Sequence, residues 1–181
     1  MNAYNPARGD TAEETDKSVS FDFETIFTAH YEPIARAIVR IIHDQGRAEE
    51  LAVDAFWKLL QNREAQGSQV GGWLQRVAVR LALDELRRRA RQSRYERLLP
   101  WLQKPQTPDD LFSANAEQGR VRRVLASIAI RDAELLLLRH DGASYGELAS
   151  SLQLNPASVG TLLSRAQQAF RKEYIKRYGE R

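Results

Sequence analysis

The sequence predicts an all-α chain built as two small helical domains joined by a flexible linker. Three observations predict it. Apolar residues recur at three- and four-residue steps over two long stretches, residues 21–97 and 117–175. Between them Pro100, Pro105 and Pro108 crowd a segment that cannot continue a helix. In the second stretch Ser144 and Glu147 stand at capping-box spacing, where hydroxyl and carboxylate each serve an orphan backbone N–H and so start a helix. At 181 residues and 43% hydrophobic composition, the chain can bury a core in each half.

Residues 1–20 are polar and without periodicity, and read as a disordered acidic tail. The first 24 residues hold two basic and six acidic side chains, a net −4, which leaves about +7 for the rest of a chain whose formal charge is +3. An acidic head on a basic body suits a polyanionic partner.

The first domain is expected over 21–97. Phe23, Ile26, Phe27, Tyr31, Ile34, Ile38, Ile41 and Ile42 mark its first helix, in which Pro33 should start a new segment or kink a continuous one. Asp44-Gln45-Gly46 reads as a stop. A second helix is expected from about Arg47 to Asn62, with Leu51, Ala55, Phe56, Leu59 and Leu60 inward. Its other face carries Glu50 and Asp54 one turn apart. A metal site, a solvated face and a partner-binding face are the three readings of that pair, and the metal shell lacks a His or a third carboxylate. Residues 63–72 hold Gly67, Gly71 and Gly72 and read as a flexible polar loop, either a plain connector or one wall of a pocket for a flipped base.

The stretch Gly72–Arg94 is the most charged helix of the domain. At about 100° per residue, Leu74, Val77, Ala78 and Leu81 share a side that can bury. Arg76, Arg80, Arg87 and Arg91 fall within a narrow arc on another side, with Trp73 at its head. Like charges stacked along a helix repel, and guanidiniums in that arrangement suit a polyanion because their planar forks bind phosphate. Trp73 offers a face for an unstacked base. Two readings stand: a nucleic-acid-binding face, or a solvated Arg-rich helix whose Trp belongs to the core.

Residues 98–116 form the expected linker, with Trp101 and Phe112 able to dock elsewhere. The second domain is expected over 117–181. Val121, Val124, Leu125 and Ile128 mark one amphipathic helix, and Asp132–His140 the next, ending at Asp141-Gly142. The capping box then starts a short helix, Tyr145–Leu152. Asn155 and Pro156 suit the cap and first position of the last helix, which buries Val159, Leu162, Leu163, Ala166 and Phe170. Its opposite side presents Ser158, Thr161, Ser164, Arg165, Gln168 and Lys172. Short helix, tight turn and capped helix with a polar face are the grammar of a helix-turn-helix that reads base edges and phosphates; an ordinary helical hairpin has the same outline. Arg171, Lys176, Arg177 and Arg181 extend the cationic reach.

Several function classes find no support. The chain has no cysteine, so disulfides and Cys-ligated zinc are out. His30, His43 and His140 are scattered, and no Gly-rich phosphate loop occurs. No catalytic site, metal or cofactor is expected. No apolar run approaches a membrane span and no signal pattern opens the chain, so a soluble, cytoplasmic protein is expected.

Three segments carry a family resemblance: AEELAVDAF (48–56), WLQRVAVRLALDELRRR (73–89) and SYGELASSLQLNPASVGTLLSRA (144–166). Together they resemble the bacterial RNA polymerase sigma factors of the sigma-70 family, in particular the compact extracytoplasmic-function (ECF) group, which keeps only sigma regions 2 and 4. The resemblance implies a region 2 bundle over 21–97 and a region 4 helix-turn-helix over 117–181. It implies that Glu49, Glu50 and Asp54 dock on the clamp helices of core RNA polymerase. Trp73, Arg76, Arg80, Arg87, Arg88 and Arg91 would open and hold the minus-ten promoter element. Ser158, Thr161, Ser164, Arg165, Gln168 and Lys172 would read the minus-thirty-five element. The linker would thread toward the active-site and RNA-exit channels, and an anti-sigma protein is a possible further partner. The chain departs from the family pattern at Val53, where Gln is frequent, and at Arg80, where Asn is. Leu163, Gln167 and Gln168 stand where the recognition helix is often basic. These departures bear on the promoter sequence read and imply weaker DNA binding by the chain alone.

The function expected is therefore a sigma factor that binds core polymerase and directs promoter-specific initiation. The alternatives are a stand-alone, dimeric helix-turn-helix regulator, which would need a dimer interface or ligand pocket in the first domain, and a helical adaptor with no nucleic-acid role.

Overall fold

The computed structural model describes residues 21–98 and 114–179, and every regular element among them is helical. The all-α expectation holds. The acidic tail, Trp101, Phe112 and most of the expected linker lie outside the described residues.

Helix α1 (Phe23–Ile42) starts because Asp22 accepts a hydrogen bond from the Thr25 N–H at 3.2 Å. It runs unbroken through Pro33 and does not restart there; only the bond that a Pro33 N–H would have made is missing. The expected stop at Asp44–Gly46 is misplaced. The chain turns at His43, which takes a left-handed φ of 53° and donates its N–H to Val39 O at 2.8 Å. Asp44 then begins the next helix by accepting from the Arg47 N–H at 3.0 Å. Helix α2 accordingly spans Gln45–Gln61 and takes Gly46 inside it.

On α2, Ala48, Leu51, Ala52, Ala55, Phe56 and Leu59 are buried, whereas Leu60, expected inward, is 41% exposed. Small residues centre the buried stripe on Ala52 and Ala55, and Leu60 falls beyond its edge. The stretch after α2 is a shorter loop than the glycines suggest. Arg63–Ala65 form a 3-10 turn whose Ala65 is buried, and Gln66 Nε2 donates to Leu59 O at 3.0 Å. Helix α3 (Val70–Leu98) takes Gly71 and Gly72 into its first turn. A Cβ on Gly71 would lie 3.0 Å from the His30 ring, so glycine there lets the start of α3 pack close on α1.

The three helices bury one core. Ile34, Ile38 and Ile41 of α1 meet Phe56 and Leu59 of α2 and Leu74, Ala78, Val79, Ala82, Leu83 and Leu86 of α3. Val77 and Leu81, expected on the side that can bury, are half-buried at its flank. Phe27 stacks on Tyr31 at 4.9 Å and tilts on Phe56 at 4.8 Å, closing the end near Asp22. Each fully buried large side chain contributes about 1.5–3 kcal/mol of transfer free energy.

Helix α4 (Ala114–Leu125) ends before Ile128, which is buried from the following turn and not from the helix. Helix α5 (Ile130–His140) buries Ala133, Leu135 and Leu138 and ends at Gly142, whose φ of 97° needs glycine. Helix α6 (Tyr145–Leu152) has both halves of the expected capping box: Ser144 N–H donates to Glu147 Oε2 at 2.7 Å and Glu147 N–H to Ser144 Oγ at 3.3 Å. Asn155 accepts from the Ala157 N–H at 3.0 Å; the element it caps is a single 3-10 turn, Pro156–Ser158, that leads into α7 (Val159–Tyr178). Val159, Leu163 and Ala166 bury α7 against α5.

The two helical groups are packed together, not merely tethered. α5 and α6 lie on α3, and the buried residues of both groups form one continuous cluster. Polar contacts cross the boundary among the described residues: Arg80 to Glu134 at 2.9 Å, Arg40 to Asp141 at 2.8 Å, and Arg87 Nη2 to Ile128 O at 2.8 Å. No helix among the described residues is long and apolar enough to cross a membrane.

Candidate polymerase and nucleic-acid interfaces

The Arg–Trp face of α3 exists as a surface of the helix, but its side chains are in different situations. Trp73 is half-buried and packs on the core, which combines the two sequence readings: its body belongs to the interior and part of it meets solvent. Arg76 is half-buried and Arg91 exposed. Arg80 and Arg87 are engaged inside the chain by Glu134 and the Ile128 carbonyl. Arg88 turns aside to Glu85, with Nη2 2.7 Å from Oε1 and Nε 2.9 Å from Oε2. In this arrangement α5 covers the middle of the face assigned to the minus-ten element.

Glu85 was not singled out by the sequence, yet it is the most heavily engaged carboxylate of the first group. Its side chain is 2% exposed and receives Arg88, Arg89 at 2.7 Å and Arg47 at 3.4 Å. The bonds from Arg88 and then Arg89 hold its pKa well down, at about 2, against the opposing effect of burial. Arg89 also reaches Asp44 at 2.7 Å and Ile42 O at 3.3 Å, so the cluster ties α3 to the α1–α2 corner. Acid at the third and fourth positions before two arginines was its only trace in the sequence.

The outer face of α2 presents Glu49, Glu50 and Asp54 to solvent, as expected. Gln45 Nε2 orients Glu49 at 2.6 Å, and Arg47 pairs with Glu50. Between these carboxylates runs an apolar stripe the sequence reading missed: Val53, Trp57 and Leu60 are 53%, 62% and 41% exposed. Their spacing of four and three residues gives one continuous ridge. An exposed indole beside two aliphatic side chains is the composition of a binding hot spot. The signal in the sequence was periodicity: Val53, Trp57 and Leu60 repeat at helical spacing on the side opposite the alanines.

On α7, Thr161, Ser164, Arg165, Gln168 and Lys172 are all exposed along one line, with Ser158 half-buried at its head. None of these side chains bonds to another described residue. Hydroxyls, an amide and cations thus stand in a row on a helix whose opposite side is anchored in the core.

No group of His, Asp and Glu among the described residues is placed to hold a metal ion, and Glu50 and Asp54 stay without a third ligand.

Comparison with known proteins places this architecture. Residues 26–92, which run from α1 into α3, match the family model for sigma-70 region 2. The ECF RNA polymerase sigma factor SigK of Mycolicibacterium vanbaalenii is 28% identical over 143 residues, 75% of this chain and 72% of SigK. The ECF RNA polymerase sigma factor SigE of Mycolicibacterium smegmatis is 24% identical over 175 residues, 91% of this chain and 66% of SigE. Among solved structures, the sigma factor RpoE from Bartonella quintana, crystallised with the anti-sigma factor NepR, aligns over 84% of this chain and 96% of its own at 17% identity and a TM-score of 0.49. The region 2 match thus covers the first three helices, and two curated ECF sigma factors align across most of the chain at 28% and 24% identity, so the chain is similar to the ECF sigma factors of the sigma-70 family.

Proposed function

We propose that this chain is a sigma factor of the ECF group that docks on core RNA polymerase through α2 and directs promoter-specific initiation with two DNA-facing helices, α3 for the minus-ten element and α7 for the minus-thirty-five element. Residues 21–97 and 117–181 are then its two working units and 98–116 their linker. The observation that carries the reading is the α2 face. Three carboxylates flank an exposed Val53–Trp57–Leu60 ridge that nothing else in the described chain covers. A solvated helix face has no use for such a ridge, whereas a protein partner buries it.

On DNA, Trp73 supplies a flat face for a base leaving the stack while Arg76 and Arg91 neutralise phosphates. Arg80 and Arg87 join them once α5 moves away from α3. On α7, Arg165 and Gln168 carry donors for base edges, and Ser158, Thr161, Ser164 and Lys172 position the helix on the backbone. An anti-sigma protein is a further proposed partner, in keeping with the group.

Gel filtration of the chain with core polymerase tests the docking step. The wild type is expected to co-elute. Trp57 is mostly exposed, so Trp57→Ala should change the melting temperature little while core binding weakens by about 2 kcal/mol, roughly thirtyfold. A stable dimer that ignores core would contradict the proposal and favour a stand-alone regulator.

A further inference from the structure

A cleft of about 970 Å³ lies where the second half of α3 faces α4 and the end of α7. Its walls carry Arg87, Arg89, Arg94, Arg122, Arg123 and Arg177, and no carboxylate lines it among the described residues. Some of these cations are occupied: Arg89 by Glu85 and Asp44, Arg177 by Glu173. Others are not satisfied. Arg87 Nε and Arg122 Nη1 are buried and have no hydrogen-bond partner among the described residues. Burial first, then Arg89 and Arg123, push the Arg122 pKa below its ordinary value, and burial with the Arg122 charge does the same to His43 on the rim. Unpaired guanidinium donors converging on one space are costly without an acceptor, and the acceptor that matches several planar N–H forks at once is phosphate.

Most of the acidic tail falls short of that acceptor role. It joins the fold at Phe21, beside the start of α1, while the cleft is lined by Ile42 and His43 past the other end of that helix. Helix α1 has 20 residues and is about 30 Å long. Glu13 and Glu14 precede Phe21 by eight and seven residues, which span about 25–29 Å at full extension; of the tail's carboxylates only Asp10, eleven residues before Phe21, has the length to reach further. A DNA duplex is too broad to enter, whereas the volume falls in the range of small-molecule sites.

We infer that the α3–α4–α7 cleft binds a small, multiply charged phosphate anion of the polyphosphate or nucleoside-polyphosphate class, held chiefly by Arg87, Arg94, Arg122 and Arg123. Because the site takes walls from both helical groups, the ligand stabilises their packed arrangement. By linkage it disfavours any state in which α3 and α4 separate. The site stands on its own geometry; only a consequence for promoter binding would rest on the sigma reading.

The test uses the full chain, with inorganic tripolyphosphate as probe and sodium chloride and sulfate at matched ionic strength as controls. Calorimetry is expected to give one site per chain, and the melting temperature to rise with tripolyphosphate beyond either control. Arg122→Gln and the exposed Arg94→Gln should each weaken binding by about tenfold, while Arg36→Gln on the outside of α1 should leave it unchanged. If Arg122→Gln fails to fold, Arg94→Gln decides alone. Equal affinity in the cleft variants and the wild type would overturn the inference, as would a shift no larger than that of sulfate, which marks an adventitious ion only. So would a single-stranded oligonucleotide that protects the same arginines and is not displaced by tripolyphosphate.

Discussion

Glu85 joins charge to stability most directly. Its carboxyl is ionised far below the usual range because Arg88 and Arg89 donate to it, with a pKa of about 2 against an ordinary 4.5. A depressed folded-state value means stability that is fully present above the unfolded value and lost as pH falls through the folded one. The chain should therefore lose about 3 kcal/mol from this group between about pH 5 and pH 2. Glu85→Gln should lower the melting temperature at pH 7 and flatten that acid limb, read by thermal melts across the range. An unchanged acid limb in the variant would assign the pH dependence elsewhere. The cluster was poorly legible in the sequence because it depends on Arg47, Arg89 and Asp44 meeting across helices. Trp57 was overlooked for a different reason: its ridge with Val53 and Leu60 is flanked by Glu49, Glu50 and Asp54, so it shows only when the buried alanines fix which way α2 faces.

Elements were more legible than their edges. The capping box and the span of α6 are where sequence chemistry puts them, because both partners are local and the geometry is closed by two hydrogen bonds. The start of α2 was misread because Asp44 serves either a stop or an N-cap, and only the left-handed turn at His43 decides. The glycines before α3 suggested mobility, but Gly71 is there for close packing on His30. The polar row on α7 was fully legible, since the core side of that helix is unambiguous. Arg165→Ala on that row should weaken recognition of the upstream promoter element by about 1–3 kcal/mol if it reads a base, measured by binding of the polymerase complex to promoter variants. A uniform loss over all sequences would make Arg165 a phosphate contact.

At the scale of the whole molecule, the packed arrangement of the two helical groups was the feature least visible in the sequence. The prolines spoke for a tether, whereas Glu134 and Asp141 meet arginines 54 and 101 positions away in the sequence. Long-range pairs of this kind leave no periodic trace. They also bring two of the six residues assigned to the minus-ten face, Arg80 and Arg87, into internal contacts. Glu134→Gln releases Arg80, whose partner side is almost buried while its own is half-exposed, so the packing should weaken by about 1–2 kcal/mol. Faster hydrogen exchange in α5 and tighter binding of the free chain to promoter DNA are the expected results, and unchanged exchange would contradict the pairing.

In the proposed function, α2, α3 and α7 serve one polymerase-bound initiation complex. Run-off transcription with purified chain, core RNA polymerase and a genomic promoter library tests it most directly. RNA starting at defined sites only when the chain is added is the predicted result. A mixture that never starts RNA at a defined site would contradict the account.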